Sequence, residues 1–255
     1  MAALYLYAIT DRPEAPLPCV SGLEDAPLCK LACQDLAGVI SSVTTTQVQA
    51  TESNLWQHEA IVEALMADRA VLPVRFGTVF SNEAAAQAEL LTHQADLIAS
   101  LNRVRGRVEL GLRVLVNDER ETVPPKDGDN SIPPKDGEHF ITLAQSAPPS
   151  RGRAYLMARL EQEQRTRAKQ QHAKAWAAEV HAPLARLAVA SVQQVLVTPR
   201  MLLTAAYLVE RDGVEAFRQE VAARGSAHPK LSLLCTGPWP PYNFVDLRAQ
   251  VELRG

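Results

Sequence analysis

The chain is predicted to be an α+β protein of two domains. The first is an elaborated ferredoxin-like antiparallel sheet with helices on one face, and the second is a smaller α+β unit with a long helix. Three observations predict this. Within residues 1–118, short runs rich in β-branched and aromatic residues alternate with stretches of helical periodicity. A Pro/Gly-rich segment at 119–150 then breaks the pattern, with PPKDG at 124–128 and again at 133–137. Residues 151–255 return to regular periods, as a long helix followed by strand, strand, helix, strand.

The elements follow in order. Residues 2–9 (AALYLYAI) form a strand ended by the turn cluster Thr10-Asp11-Arg12-Pro13. Residues 18–22 and 27–33 suit a hairpin around Gly22-Leu23-Glu24-Asp25, and 36–49 is β-branched enough for a further strand. The first helix spans about 54–68. Asn54 caps it with Gln57 three residues on, and Leu55, Ile61, Val62, Leu65 and Met66 give one buried stripe. After a strand within 71–80, a helix from Asn82 to Arg103 closes at Gly106, and the alternating run 107–117 is a half-exposed strand of the first domain. No Gly-rich turn follows the first strand, which disfavours a parallel doubly wound sheet.

Proline and glycine make 119–150 a linker or exposed loop. The long helix is placed at 151–180. Tyr155, Leu156, Met157 and Leu160 anchor one end, and Trp176 and Val180 the other. Its centre, 161–172, carries almost no large apolar side chain, so it projects into solvent. Arg165, Lys169 and His172 are the candidate partner-binding residues there. Strands at 184–189 and 201–210, a helix at 213–224 capped by Asp212 with Glu215, and a strand at 230–235 complete the second domain. In the tail, Gly237, Pro238, Pro240 and Pro241 exclude helix or central strand, while Trp239, Tyr242 and Phe244 staple the chain to the fold.

Composition narrows the function classes. The chain has 255 residues, 47% of them hydrophobic, enough for one large or two small cores, and a net charge of −3 gives no basic field for nucleic acid. No stretch approaches the length of a membrane span, and MAALYLYAIT lacks the charge and apolar pattern of a signal peptide. A cytoplasmic protein without membrane or nucleic-acid partners is the expectation. Cys19, Cys29, Cys33 and Cys235 lack metal-ligand spacing. His58-Glu59 has no second histidine four residues on, no phosphate loop or nucleophile elbow occurs, and the six histidines fall mostly on polar faces. Neither a catalytic residue, a cofactor nor a metal is expected.

The most informative run is VLPVRFGTVF at 71–80. Pro73 fixes φ, Gly77 permits a backbone geometry that other residues resist, and Phe76 and Thr78 flank it. Arg75 lies in so apolar a context that burial with hydrogen bonds to carbonyls or a carboxylate is expected. A core strand and tight turn with Arg75 facing out is the alternative.

VLPVRFGTVF together with GPWPPYNFV at 237–245 resembles the gas vesicle protein F/L family. YLYAI (5–9), GRVELGLRV (106–114), GRAYL (152–156) and AAYLVERDGVEAF (205–217) match in the same order. The PPKDG repeat has no counterpart in that pattern. The resemblance implies two α+β domains, the first ferredoxin-like. It also implies a non-enzymatic accessory or minor structural protein of gas vesicles, whose partners are the small hydrophobic shell protein and other accessory proteins. The competing expectation is a small-molecule-binding regulatory module on a ferredoxin-like domain, which a deep pocket with convergent polar groups would favour.

Overall fold

The computed structural model describes residues 3–117, 151–195 and 201–245; the side chains of 151–154, 165, 166, 169 and 170 are outside that description. Both PPKDG segments and residues 246–255 also lie outside it.

The first sheet contains β1 (Ala3–Thr10), β2 (Cys29–Cys33), β3 (Leu36–Val43), β4 (Val71–Pro73) and β5 (Val79–Phe80). Its order is β2-β3-β1-β4, with β5 also on β1, and every pairing is antiparallel. That is the strand order of a ferredoxin-like sheet, with a loop holding a 3-10 turn at Leu23–Asp25 in place of the first crossover helix. The expected hairpin around 22–25 is therefore displaced: β2 pairs with β3, and the turn between them holds Gln34 at φ +52°.

Three helices belong to this unit. α1 (Glu52–Met66) packs on one face, where Ile61, Val62 and Leu65 meet Tyr5, Tyr7 and Val43. α2 (Glu83–Thr92) and α3 (Gln94–Val104) pack on the other, where Leu90, Leu97 and Leu101 meet Leu6, Ile9 and Leu31. The helices thus divide between the faces instead of sharing one, because β1 and β3 are buried almost along their whole lengths. A strand that is apolar on both sides needs cover on both sides. The expected single helix 82–103 breaks at His93, where Thr92 turns its hydroxyl back onto the Ala88 carbonyl at 2.8 Å. Asn82, where the helix was expected to begin, caps α2, its side chain accepting from the Ala85 amide.

β6 (Arg107–Val116) does not extend this sheet. It is a central strand of a second one, ordered β7-β8-β6-β9, with β7 (Ala190–Val195), β8 (Met201–Glu210) and β9 (Leu231–Trp239). The expected assignment of 107–117 to the first domain is corrected accordingly. Its alternation showed one buried face but not which sheet supplied its neighbours.

α4 (Arg151–Arg186) and α5 (Val214–Ala227) cover one face of the second sheet. α4 runs through Pro183 to Arg186, so the strand expected at 184–189 is instead the end of the helix and the bend after it, and β7 begins only at Ala190. Val180 and Leu184, one helical turn apart, are both fully buried, and that shared face carries the helix past the proline. α5 starts without a side-chain cap and continues past Gly225, stopping at His228 before Pro229. On the other face, Ala206 and Leu208 join the core of the first unit, together with Phe244 and Val245 from the tail. The two sheets therefore share an apolar contact as well as a covalent link.

Candidate functional site

The two sequence motifs meet at the seam between the units. Within 71–80, β4 and β5 form one interrupted edge strand. Pro73 pairs with Ala8 and Val79 with Tyr5, so residues 74–78 stand opposite only Leu6 and Tyr7. The excess loops out as a turn in which the Thr78 amide and hydroxyl both donate to the Arg75 carbonyl, at 3.3 and 2.8 Å. Gly77 takes φ +86°, a value that L side chains resist.

This turn is held from beneath. His58 donates from Nε2 to the Val74 carbonyl at 3.1 Å, which leaves Nδ1 to accept from the Tyr5 hydroxyl at 2.9 Å. Tyr5 accepts in turn from the Gly77 amide at 3.0 Å. Burial holds His58 down at about 4, so it is neutral at physiological pH, and burial pushes the Tyr5 hydroxyl well up. Histidine and tyrosine here position a turn.

Arg75 corrects the expectation made for it: the residue is exposed, and its backbone carbonyl serves the turn. Because the excursion bulges away from β1, a long side chain at its tip reaches water without desolvation. His58 is the residue that the sequence reading missed, being 3% exposed where a solvated histidine was expected. The signal was present in its spacing: 58, 61, 62 and 65 form an i, i+3, i+4, i+7 stripe. Leu55, placed in the buried stripe, is instead exposed, and Thr51 rather than Asn54 caps α1.

The second motif reaches the same place from the other sheet. Gly237 sits at φ +106°, and a Cβ there would lie 2.8 Å from the Glu109 carbonyl oxygen. The Gly237–Pro238 peptide is cis. Pro238 and Trp239 end β9 at the surface, while Pro240, Pro241 and Phe244 are buried. That a strand reaches Trp239 despite the prolines follows from its edge position in the sheet. Tyr242 then donates to Glu59 Oε2 on α1 at 2.7 Å. Asn243 donates from its amide and from Nδ2 to the two oxygens of Glu109, at 2.8 and 2.5 Å. Burial raises both carboxyls above their usual range, and the bonds from Tyr242 and Asn243 oppose that rise. Tyr242 and Phe244 therefore staple the tail as expected, whereas Trp239 remains 38% exposed.

Arginines brace the seam elsewhere. Arg105 pairs with Asp11 at 3.1 Å, and Arg211 reaches the Met66 carbonyl.

Among the described residues, two of the exposed apolar surfaces are set apart by shape. One is a groove of about 590 Å³ beside the seam, walled by Leu55, Trp56 and Phe76 and floored by Tyr242. The other is the outer half of α4. Among its described side chains, the buried ones lie between Ala173 and Leu184, while Tyr155, Leu156, Met157 and Leu160 are each more than half exposed. The expected anchoring of that end is thus corrected, whereas Val180 is buried and Trp176 packs on the core as expected. His172 is exposed, with its ring 6.0 Å from that of Trp176; the side chains of Arg165 and Lys169 are outside the described residues. Among the described residues, no group of three or more His, Cys, Asp or Glu could hold a metal, and no helix is long and apolar enough to cross a membrane.

The family model for the gas vesicle synthesis protein GvpL/GvpF matches residues 3–246. The chain belongs to the GvpL/GvpF family. It is 28% identical to gas vesicle protein F2 of Halobacterium salinarum, over 98% of this chain and 94% of that one. To gas vesicle protein L of a Streptomyces species it is 27% identical, over 95% and 92%. The crystal structure of GvpF from Anabaena sp. PCC7120 superposes with a TM-score of 0.73 at 20% identity, covering 96% of this chain and 97% of that one. The GvpF structure from Microcystis aeruginosa gives 0.67 at 18%, covering 96% and 100%. The mixed α+β fold of this GvpL/GvpF member is thus that of solved members, and the family is one of gas vesicle formation.

Proposed function

We propose that this protein is a non-catalytic accessory or minor structural protein of gas vesicles. It acts in the cytoplasm and at the vesicle, and it binds the small hydrophobic shell protein and other accessory proteins during assembly. The family match over residues 3–246 carries this reading. The outer half of α4 supplies a physical means. A shell subunit with an apolar face aggregates unless that face is covered until assembly. Leu156, Leu160 and Met157 lie at i,i+4 and i,i+3 spacing, so they form one apolar stripe on a helix, with Tyr155 beside it. From Tyr155 to His172 that helix extends about 27 Å at 1.5 Å per residue. This puts the stripe well away from the part of α4 that packs on the second sheet. Binding is thus assigned to the apolar end of the arm, with Arg165, Lys169 and His172 along its polar centre.

The test is genetic and biochemical together. Cells lacking the gene should form no phase-bright vesicles, and the intact gene should restore them. A Leu156→Asp, Leu160→Asp variant should fold, should fail to restore vesicles and should no longer co-purify with the shell protein. Normal vesicles in the deletion strain would remove the assignment, and undiminished capture by the variant would remove α4 from it.

A further inference from the structure

The groove on α1 is left unused by that reading and stands on separate observations. We propose that it docks a cationic amphipathic segment of a partner protein, which packs apolar side chains over Leu55, Trp56 and Phe76 and sets a lysine or arginine against Glu52 and Glu59.

The walls explain the apolar half of this specificity. Trp56 is 65% exposed and Leu55 44%, adjacent on a well-formed helix. An indole left in water beside a second large apolar residue is a common form of binding hot spot. The groove measures about 590 Å³, room for several side chains.

The charge around it explains the cationic half. The charged residues lining it are Glu52 and Glu59, with no lysine or arginine among the lining residues. The Trp56 indole N–H lies 3.4 Å from Glu52 Oε1, so the aromatic face and a carboxylate are presented together. Glu59 gives Oε2 to Tyr242, and Glu63 follows one turn later on α1. Glu109 lies behind, close enough to Glu59 to raise its own carboxyl further. His58 brings no compensating positive charge, because both of its ring nitrogens are committed, to Val74 and to Tyr5. Arg75 precedes Phe76 in the turn and is exposed, but it does not line the groove. An apolar partner without charge would leave the carboxylates facing low-dielectric surface, and an acidic one would be repelled. An apolar and basic segment satisfies both surfaces, and an amphipathic helix in a groove is a familiar way to present one.

The test uses the full chain and two synthetic helical peptides of ~14 residues with the same leucine pattern, one carrying lysine on its polar face and the other glutamate. The lysine peptide should bind and shift tryptophan emission to the blue. Trp56→Ala should remove the shift and weaken binding roughly tenfold or more. Glu52→Gln should weaken it by about threefold, as should raising salt from about 50 to about 500 mM. The glutamate peptide should not bind. Equal binding of both peptides, or lysine-peptide binding indifferent to Trp56→Ala, would overturn the proposal, as would no binding at all. Residues 246–255 (DLRAQVELRG) carry two arginines of their own. If the lysine peptide binds only after these are removed, the occupant is this chain's own tail and the partner reading fails. None of these outcomes depends on whether α4 captures the shell protein.

Discussion

The seam and the outer half of α4 draw on the same kinds of side chain and put them to opposite use. At the seam, aromatic and acidic residues are turned inward: Tyr5, Phe244 and Glu109 are buried, the bonds from Asn243 satisfy Glu109, and Tyr242 holds one oxygen of the half-buried Glu59. On α4, Tyr155 and Leu156 stand in solvent on a helix whose described buried side chains lie at its other end. The seam therefore holds the two sheets in register, and the arm is free to engage something else. The stretches most recognisable in sequence, 71–80 and 237–245, chiefly build the frame. The surfaces proposed for partners are the stripe on α4 and the groove on α1, whose walls come mostly from residues outside both stretches.

The sharpest way to break this contrast is at Gly237. A methyl there would meet the Glu109 carbonyl oxygen at 2.8 Å, at a φ of +106°. Gly237→Ala should cost about 3 kcal/mol or more in urea unfolding. Gly77 shares the positive φ, but nothing lies within 4 Å of an added Cβ, so Gly77→Ala should cost only about 1 kcal/mol. Equal losses would mean that backbone conformation alone, and not close approach across the seam, sets the requirement.

Acid should act on the seam as well. His58 is held at about 4 against an ordinary 6.5. As pH falls between those values, the unfolded chain takes up a proton that the folded chain refuses. Stability should therefore fall across that window, by about 3 kcal/mol at its lower end. Glu59 and Glu109, raised by burial, work the other way, since protonation is easier for each in the folded chain. His58→Gln should flatten the loss and uncover that weaker opposing slope in urea titrations at successive pH values. A smaller effect is expected of Tyr242→Phe, which leaves a half-buried carboxylate oxygen without its donor. It should cost about 1–2 kcal/mol, and a loss within error would mean that water replaces the hydroxyl and that the staple is only apolar.

Much of this fold was legible because periodicity is local. The strand read at 201–210 is β8, a helix begins after Asn82 as read, and Gly106, read as a helix stop, takes φ +72° after α3. Partnership is not local, and there the reading diverged. β6 alternates equally well in either sheet, so its neighbours had to come from the structure. Arg75 was expected to be buried because its neighbours in sequence are apolar, yet a five-residue excursion from the strand edge lifts it into water. His58 reads as polar surface from its residue type alone, although the buried face of α1 runs through it. At the groove, Trp56 lies on the side of α1 opposite the 58, 61, 62 and 65 stripe, so helical period already turns it outward, whereas Leu55 stands at the edge of that stripe and its exposure came only from the structure.

The smallest expected change is the most telling for the arm. Tyr155, Leu156, Met157 and Leu160 look like a core stripe in sequence, and apolar spacing cannot show whether the matching face belongs to the same chain. If the stripe is open, Leu156→Ser with Leu160→Ser removes no packing. The thermal midpoint should then move by no more than about 0.5 kcal/mol equivalent, through helix propensity alone. If the stripe packed on the chain itself, two leucines lost from a core would cost several kcal/mol. An unchanged midpoint combined with lost capture of the shell protein would separate binding from folding within one helix, because the same α4 that leaves Leu156 exposed buries Val180 and Leu184 against its own second sheet.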